Sequence, residues 1–329
     1  MKVNRDIVIG LVLLCLLASV PLFVTSRYWL GQAVLIFIWV GVVTQWNLVF
    51  GVAGIFSLAQ MLVFAAGGYT SAMLSTHFGL SPWFGLFAGG ISAVIVGALI
   101  GASTLRLTGA YVALLTLAMA SAVQSLIVVD TACISFVDSV CQTLTGGASG
   151  LSRLPDFGFR ALLGHQYAMV GNYYLALVLV LAGSVFAFLA INSPLGHAFT
   201  ALRDNPVSAM SRGINRAKYQ ILVFSMSAFF TGAFGAFYAG HFRAFGPTIL
   251  DLPTLLFLMS AMIVGGIGRL WGPFLGIAVL MVFDELAKGY SEWRMVGVGL
   301  FTVICVIALP QGIAGSIESF SRKVFKNRV

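Results

Sequence analysis

Apolar runs of about 20 residues dominate this sequence, and most of its charged residues fall between them. Of the 329 residues, 60% are hydrophobic and only 9% are charged, whereas soluble domains carry roughly 25% charged residues. A soluble fold of this composition would have too few polar side chains to cover its surface. Barrel strands alternate polar and apolar side chains, which these uninterrupted runs do not. The sequence therefore predicts an all-α, polytopic integral membrane protein.

Ten apolar segments are predicted to form transmembrane helices, in one transmembrane domain that covers residues 1–329. The first segment resembles a signal peptide, but no small-residue cleavage site followed by a soluble domain appears, so it is interpreted as a retained span. The predicted spans are approximately 7–25, 29–50, 55–74, 82–103, 109–129, 173–191, 220–242, 253–268, 272–287 and 295–313.

The basic residues predict the orientation of this bundle. With a cytoplasmic N-terminus, 12 of the 18 Lys and Arg residues fall in inner loops or at the termini, as the positive-inside rule requires. The basic residues of 322–328 place the C-terminus on the same side. This bias also accounts for the net charge of +8. Because no nucleic-acid-binding motif accompanies that charge, we expect the chain to contact a lipid bilayer and no nucleic acid.

Residues 193–218, here called the central loop, form a polar and basic interruption of the apolar pattern. Hydrocarbon cannot accommodate so many charged side chains together, so the loop faces water, on the cytoplasmic side. Asp204, Asn205 and Pro206 predict a turn and a capped helix start, and Gly213 suits a helix C-terminus. The pattern thus predicts two short helices. The apolar residues of these helices recur at near-helical steps and form a stripe that is compatible with anionic headgroups or with the groove of a partner. They are Leu195, Phe199, Leu202, Val207, Met210 and Ile214.

A few polar side chains within the predicted spans are candidates for a translocation pathway. Amides are poorly hosted by lipid, although Ser and Thr often bond their own helix and polar groups can also join neighbouring helices. Both interpretations remain open for each candidate. The candidates are Gln45, Asn47, Gln60, Tyr69, Thr70 and Gln124.

Cys133 and Cys141 lie in the predicted external loop, residues 130–171. An oxidising compartment would allow a disulfide bond between them, although spacing alone does not decide whether it forms. The cysteines fit no metal-binding spacing, and the four scattered histidines form no catalytic pattern. We therefore expect no catalytic residues, no metal and no cofactor in this chain, which is not predicted to be an enzyme.

Several sequence blocks resemble permease subunits of branched-chain amino-acid ABC importers, specifically those of the LivM type. ALRDNPVSAMSRGIN, residues 201–215, is similar to the cytoplasmic coupling segment of that family. NLVFGVAGIFSLAQ, LRLTGAYVALLTLA, LTGGASGL and IVGGIGRLWGPFLG also resemble its blocks and occur in the family's order. Gln60 and Gly68 depart from residues common in the family, as does the two-cysteine insert at 130–143.

The resemblance implies alternating access driven by ATP hydrolysis in separate subunits. The chain lacks the phosphate-binding motif G-x-x-x-x-G-K-[ST], so ATP and Mg²⁺ would be bound by two cytoplasmic ABC ATPases. A homologous LivH-like permease and a periplasmic binding protein would complete the importer in a bacterial inner membrane. The central loop would contact the ATPases through a set of charged and apolar residues, namely Arg203, Asp204, Val207, Met210, Arg212, Gly213 and Ile214.

The resemblance implies a branched-chain or other hydrophobic amino acid as cargo, and urea, amides or small aromatic acids as alternatives. A stand-alone secondary transporter is a further alternative. Ion-driven transporters usually need carboxylates inside the membrane, and no Asp or Glu lies clearly at mid-span in this sequence. A membrane-embedded enzyme would need catalytic groups clustered at one depth, and no such cluster is apparent.

Overall fold

The computed structural model describes residues 2–24, 26–137, 140–289 and 294–326. Long helices dominate this part of the chain, and two short helices separate the sixth long helix from the seventh. The helices are α1 Lys2–Phe23, α2 Arg27–Asn47, α3 Gln60–Phe78, α4 Pro82–Ser103, α5 Ala110–Val129, α6 Phe159–Asn192, α7 Pro194–Asp204, α8 Pro206–Ser211, α9 Arg216–Phe242, α10 Leu252–Gly265, α11 Gly272–Ala287, α12 Arg294–Ala308 and α13 Gly312–Lys326.

Each of the ten predicted spans overlaps one or two of these helices, and the all-α prediction is confirmed. Within the described residues, six stretches are long and apolar enough to cross a membrane. Helix α3 is not among them, since it carries many polar and small side chains. Most of its residues are buried by neighbouring helices, so it needs little apolar surface. The six stretches are Arg27–Val52, Pro82–Ser103, Ala110–Val129, Tyr167–Asn192, Arg216–Phe242 and Val296–Ser319.

Three helices, α3, α4 and α9, form the centre of the bundle and approach one another at backbone distance. A Cβ atom added to Gly67 would lie 2.2 Å from the carbonyl oxygen of Gly232, and one added to Gly235 would lie 2.1 Å from that of Phe64. One added to Gly89 would lie 2.7 Å from the carbonyl oxygen of Gly67. Small residues permit this packing, which is common between membrane helices.

Helix α1 is bonded to the bundle at a carbonyl group that its internal proline leaves free. Pro21 has no backbone N–H, so the carbonyl of Leu17 lacks its normal helical donor. The hydroxyl of Tyr173 donates to that carbonyl over 2.6 Å, and the hydroxyl of Tyr174 donates to the carbonyl of Ala18 over 3.1 Å. Two adjacent tyrosines of α6 therefore hold the second half of α1.

The connections of the bundle meet in two groups. At one end, the chain between α5 and α6 contacts the connection between α9 and α10, where Leu151 of strand β3, Leu151–Ser152, pairs with Phe245 of strand β4, Ala244–Phe245. At the other end, Arg216 donates to the carbonyl of Leu107 in the α4–α5 turn. Connections that alternate along the chain thus gather at the same end, as expected for helices that run up and down.

The loop predicted at 130–171 is shorter than expected, because α6 begins at Phe159 and is kinked at Gly164. It contains an antiparallel pair of strands, which the apolar pattern did not predict. These two strands comprise Cys133–Val137 and Val140–Thr143.

The helical path of the chain is broken at two places inside the bundle, between α2 and α3 and between α10 and α11. Helix α2 continues into a π-helical turn, Leu48–Val52, and the chain is non-helical from 53 to 59 before α3 begins. Helices α10 and α11 have only 14 and 16 residues, or about 21 and 24 Å, which is shorter than a hydrocarbon core of about 30 Å. Backbone without regular hydrogen bonds is tolerated at membrane depth only where protein or a cavity surrounds it.

Candidate functional site

The central loop folds as the two short helices predicted from the sequence, α7 and α8. Ser193 caps α7, since its hydroxyl accepts a 3.4 Å hydrogen bond from the amide of Gly196. Asn205 separates the two helices with an extended backbone (φ −152°), and its side-chain oxygen accepts from the amide of Ser208 over 3.0 Å. A proline follows each cap at the first helical position. The predicted break at Asp204–Pro206 is therefore confirmed.

Gly213 ends α8 and directs the chain into α9. Its φ of +85° is strained for residues with a Cβ atom. Its amide donates to the carbonyl of Met210 over 3.0 Å, and the amide of Ile214 donates to that of Ala209 over 3.2 Å. These two hydrogen bonds are the pattern of a Schellman motif. Asn215 then caps α9 through its side-chain oxygen. The run Gly-Ile-Asn thus ends one helix and starts the next.

The exposed side of α8 carries two large apolar side chains. Val207 is 74% exposed and Met210 is 45% exposed, whereas Ala209 on the opposite side is buried. Asp204 and Arg212 are also exposed, at the end of each short helix. Exposed apolar residues on a polar loop are a feature of interaction surfaces.

The side chain of Arg203 is 40% exposed, but its guanidinium group bonds back to the bundle. Its Nη1 donates to the carbonyl oxygen of Gly51 over 2.9 Å, and its Nε lies 3.0 Å from a carboxylate oxygen of Asp204. The side chain passes over Gly54, where an added Cβ atom would lie 2.2 Å from Arg203 Cγ. Arg203 thus connects the central loop to the break between α2 and α3.

The central loop also contacts the bundle through α9. Phe199 of α7 packs edge-on against Tyr219, with ring centroids 6.0 Å apart. The buried amide of Gln220 donates to the hydroxyl of Thr104 over 3.0 Å, which joins α9 to the end of α4. A cavity of about 210 Å³ lies between these elements and the chain at 53–56, and both Arg203 and Arg216 line it.

The three amide candidates in α2 and α3 are fully or almost fully buried, and each bonds to the protein itself. Gln45 Nε2 donates to the carbonyl of Gly183 over 2.9 Å, although its Oε1 has no hydrogen-bond partner. Gln60 Nε2 donates to the hydroxyl of Thr231 over 2.6 Å. Asn47 bonds to two backbone groups of the α10–α11 connection. These side chains therefore join helices.

The other three candidates lie nearer the opposite end of the bundle. The buried hydroxyl of Tyr69 has no hydrogen-bond partner, and its ring packs edge-on against Phe245, with centroids 5.0 Å apart. Thr70 bonds to its own helix and to a serine of α4. Gln124 Nε2 lies 2.5 Å from a carboxylate oxygen of Asp251. The assignment of the six candidates to a translocation pathway therefore stays a prediction.

Of the two cysteines in the loop between α5 and α6, Cys133 is disulfide-bonded. Cys15 and Cys305 are free. The side chain of Cys141 lies outside the described residues, so its pairing with Cys133 stays a prediction. Among the residues that the structure describes, no group of three His, Cys, Asp or Glu side chains is arranged to hold a metal ion.

Comparison with known proteins agrees with this architecture. Residues 28–309 match the family described as the permease component of the branched-chain amino acid transport system. The chain belongs to this family. No solved structure gives a match.

Curated relatives of this branched-chain transport permease include both permease types of such systems. The chain is 28% identical to the high-affinity branched-chain amino acid transport permease protein LivM of Escherichia coli K12, over 92% of this chain and 74% of the relative. LivM of Salmonella typhimurium is 27% identical over 88% of this chain and 71% of that protein. LivH of Escherichia coli K12 is 22% identical over 83% of this chain and 90% of its own length.

The chain is thus a multi-pass membrane protein and a permease subunit of an ABC importer. Sequence inspection of this permease did not identify Thr104, Thr231 and Gly268 as partners of the buried amides. Thr104 and Thr231 lie at helix positions where hydroxyl groups usually bond their own backbone, as both also do here. Gly268 lies in a glycine-rich block, which indicated close packing without indicating a partner.

Proposed function

We propose that this chain is the LivM-type permease of an ATP-driven importer for branched-chain or other hydrophobic amino acids in a bacterial inner membrane. Two cytoplasmic ABC ATPases, a LivH-like permease and a periplasmic binding protein complete the assembly. Ten helices, α1 to α6 and α9 to α12, cross the bilayer, and both termini are cytoplasmic. The names of the LivM and LivH relatives support this cargo and the paired permeases.

The observation that carries the proposal is the exposed apolar pair Val207 and Met210 on the capped helix α8. A six-residue helix with a cap at each end is a rigid unit, and two apolar residues three positions apart fit the groove of a partner. Both side chains would otherwise remain in water at the end of the bundle that the basic residues predict to be cytoplasmic. We assign this surface, with Asp204 and Arg212 at its rim, to docking of an ATPase subunit.

Local pairing of the carboxylates favours ATP as the energy source. Asp284, which is 9% exposed, bonds Arg294 through both of its oxygens at 2.5 and 2.6 Å. Glu285 bonds Lys288 and Tyr28 at the same end of α11. Among the described carboxylates, none lies unpaired within a long helix, where an ion-coupled transporter would need one.

The test is co-purification of the ATPase with the tagged permease, followed by uptake assays in proteoliposomes. Changing both Val207 and Met210 to Asp should reduce ATPase binding at least about 30-fold, because central apolar anchors dominate interface energies. Leu144→Asp is the matched control, since Leu144 is 47% exposed at the opposite end and should leave ATPase binding unchanged.

Uptake of labelled leucine, isoleucine, valine, phenylalanine, urea and acetamide by the complete complex would define the cargo. ATP-dependent uptake of the aliphatic amino acids is expected. Uptake by the permease alone along an ion gradient, or undiminished ATPase binding by the doubly substituted variant, would contradict the proposal.

A further inference from the structure

The π-helical turn after α2 leaves the backbone carbonyl of Gly51 without its helical donor. In an α-helix the amide of Ile55 would donate to the carbonyl of Gly51. Here it donates to the carbonyl of Val49 over 3.0 Å, while the amide of Ala53 donates to that of Leu48. The carbonyl oxygen of Gly51 is therefore available as an acceptor, and Nη1 of Arg203 in α7 donates a hydrogen bond to it over 2.9 Å. A bond from a charged donor is stronger than one between neutral groups.

The same turn is joined to the second break in the bundle, between α10 and α11. Both ends of the Asn47 amide are used, since Oδ1 accepts from the amide of Gly268 over 2.8 Å and Nδ2 donates to the carbonyl of Arg269 over 3.0 Å. Gly268 has a φ of +74°, and a Cβ atom added to Gly51 would lie 2.4 Å from its nitrogen. The two breaks thus touch, and side chains larger than hydrogen would separate them.

The connection continues beyond the two breaks to the C-terminal helix. Arg269 Nη1 donates to the carbonyl of Gln311 over 2.9 Å, directly before α13. Its Nε lies 3.9 Å from a carboxylate oxygen of Glu318. A displacement of the α10–α11 connection therefore also acts on the start of α13.

We propose that Arg203, Gly51, Asn47 and Gly268, here called the inner link, transmit movement of the central loop to both broken helices at once. Arg203 and Asn47 are positioning residues in this scheme. Arg203 contacts the bundle, whereas Val207 and Met210 contact the ATPase. The inference rests on the proposed function, because it needs an ATPase to move α7. The movement would thus reach two helix breaks whose bonded residues, Asn47 and Gly268, are 221 positions apart in the sequence.

The arrangement favours transmission by a few bonds over general contact. Arg203 has a single backbone acceptor within the bundle among the described residues, so its loss uncouples α7 from α2 without removing apolar contacts. The contact between Phe199 and Tyr219 would still hold α7 against α9. Folding and ATPase docking are therefore expected to survive removal of the link.

The experiment measures uptake and ATP hydrolysis together, in proteoliposomes that contain the complete importer. Arg203→Gln should lower the number of substrate molecules transported per ATP about tenfold while hydrolysis continues, as expected for loss of one charge-assisted bond in the moving state. Arg203→Lys should restore part of the ratio, since Lys keeps a charged donor. Asn47→Asp, which keeps the acceptor for Gly268 and loses the donor to Arg269, should lower the ratio less than Asn47→Leu.

Arg106→Gln is the matched control, because Arg106 is an exposed cation in the α4–α5 turn with no hydrogen bond in the described part of the chain. It should leave the ratio unchanged. An unchanged ratio in Arg203→Gln and Asn47→Leu would overturn the inference, and so would loss of ATPase co-purification in Arg203→Gln, which would make Arg203 a docking residue. If the unsubstituted complex transports without ATP, the proposed function fails instead.

Discussion

The centre of the bundle and the central loop use glycine and apolar residues in opposite ways. In the centre, glycines of α3, α4 and α9 remove side chains so that backbones touch, and an added Cβ atom would overlap a neighbour. In the central loop, Gly213 has open space around the position of a Cβ atom, and Val207 and Met210 lie exposed. The centre is thus complete within this chain, whereas the central loop presents a surface that suits a partner.

The largest effect should come from filling the centre. Gly232→Val places a branched side chain where even a Cβ atom would lie 2.2 Å from that of Ala93 and 2.6 Å from the carbonyl oxygen of Gly89. We expect a loss of about 3 kcal/mol in the free energy of unfolding or failure to fold, as for overpacked cores. Thermal unfolding and the yield of monodisperse protein in detergent would measure it.

Gly299→Val in α12 is the control for that substitution, because nothing lies within 4 Å of an added Cβ atom at Gly299. It should leave the melting temperature nearly unchanged. Equal melting temperatures for the two variants would show that the centre can expand, which would remove the distinction between a closed core and an open loop.

This difference also explains how far the sequence predicts the structure. Apolar runs predicted the helices well, because each helix must present apolar surface to lipid or to its neighbours. The run at 295–313 did not reveal the break between α12 and α13, and the run at 55–74 began five residues before α3. The second miss falls at residues 55–59, which are mostly apolar but non-helical, a state that hydropathy does not detect, and the first falls at the short turn of residues 309–311.

Local signals predicted the central loop better than the contacts of the bundle. The caps at Asn205 and the turn at Gly213 depend on residues within three or four positions, so their pattern is readable in the sequence. The bonds from Asn47 to the α10–α11 connection join residues 221 and 222 positions apart. No spacing rule reaches that far, which is why Asn47 was an open candidate for the pathway and Gly268 was missed.

An intermediate effect should come from two glycines that differ only in location. Gly213 (φ +85°) ends α8, and Gly79 (φ +62°) ends α3 at the opposite end of the bundle, and neither has an atom within 4 Å of an added Cβ. Changing either to Ala should cost about 1 kcal/mol of stability, because a left-handed backbone disfavours a Cβ atom. The melting temperatures of the two variants should therefore fall by similar amounts.

Transport should separate these two variants although stability does not. Gly213→Ala alters the exit of α8 and should reduce ATP-dependent uptake, while Gly79→Ala should retain it at matched protein levels. If both variants lose uptake equally, the central loop has no special role, and the effect follows from stability alone.

The smallest effect is expected at the two caps of the central loop, and it compares α8 with α7. Asn205→Ala removes the side-chain acceptor of a six-residue helix that has few other contacts, at a cost of about 1 kcal/mol. Ser193→Ala removes a longer bond, 3.4 Å, from a helix that Phe199 and Arg203 also hold to the bundle. Amide hydrogen exchange in α8 should become about fivefold faster in Asn205→Ala, whereas exchange in α7 should change less in Ser193→Ala. Equal acceleration would mean that α7 depends on its cap as much as α8 does, and that the contacts of Phe199 and Arg203 do not stabilise it. The order of these two rates therefore tests whether α7 is the part of the central loop that the bundle holds, as transmission through Arg203 requires.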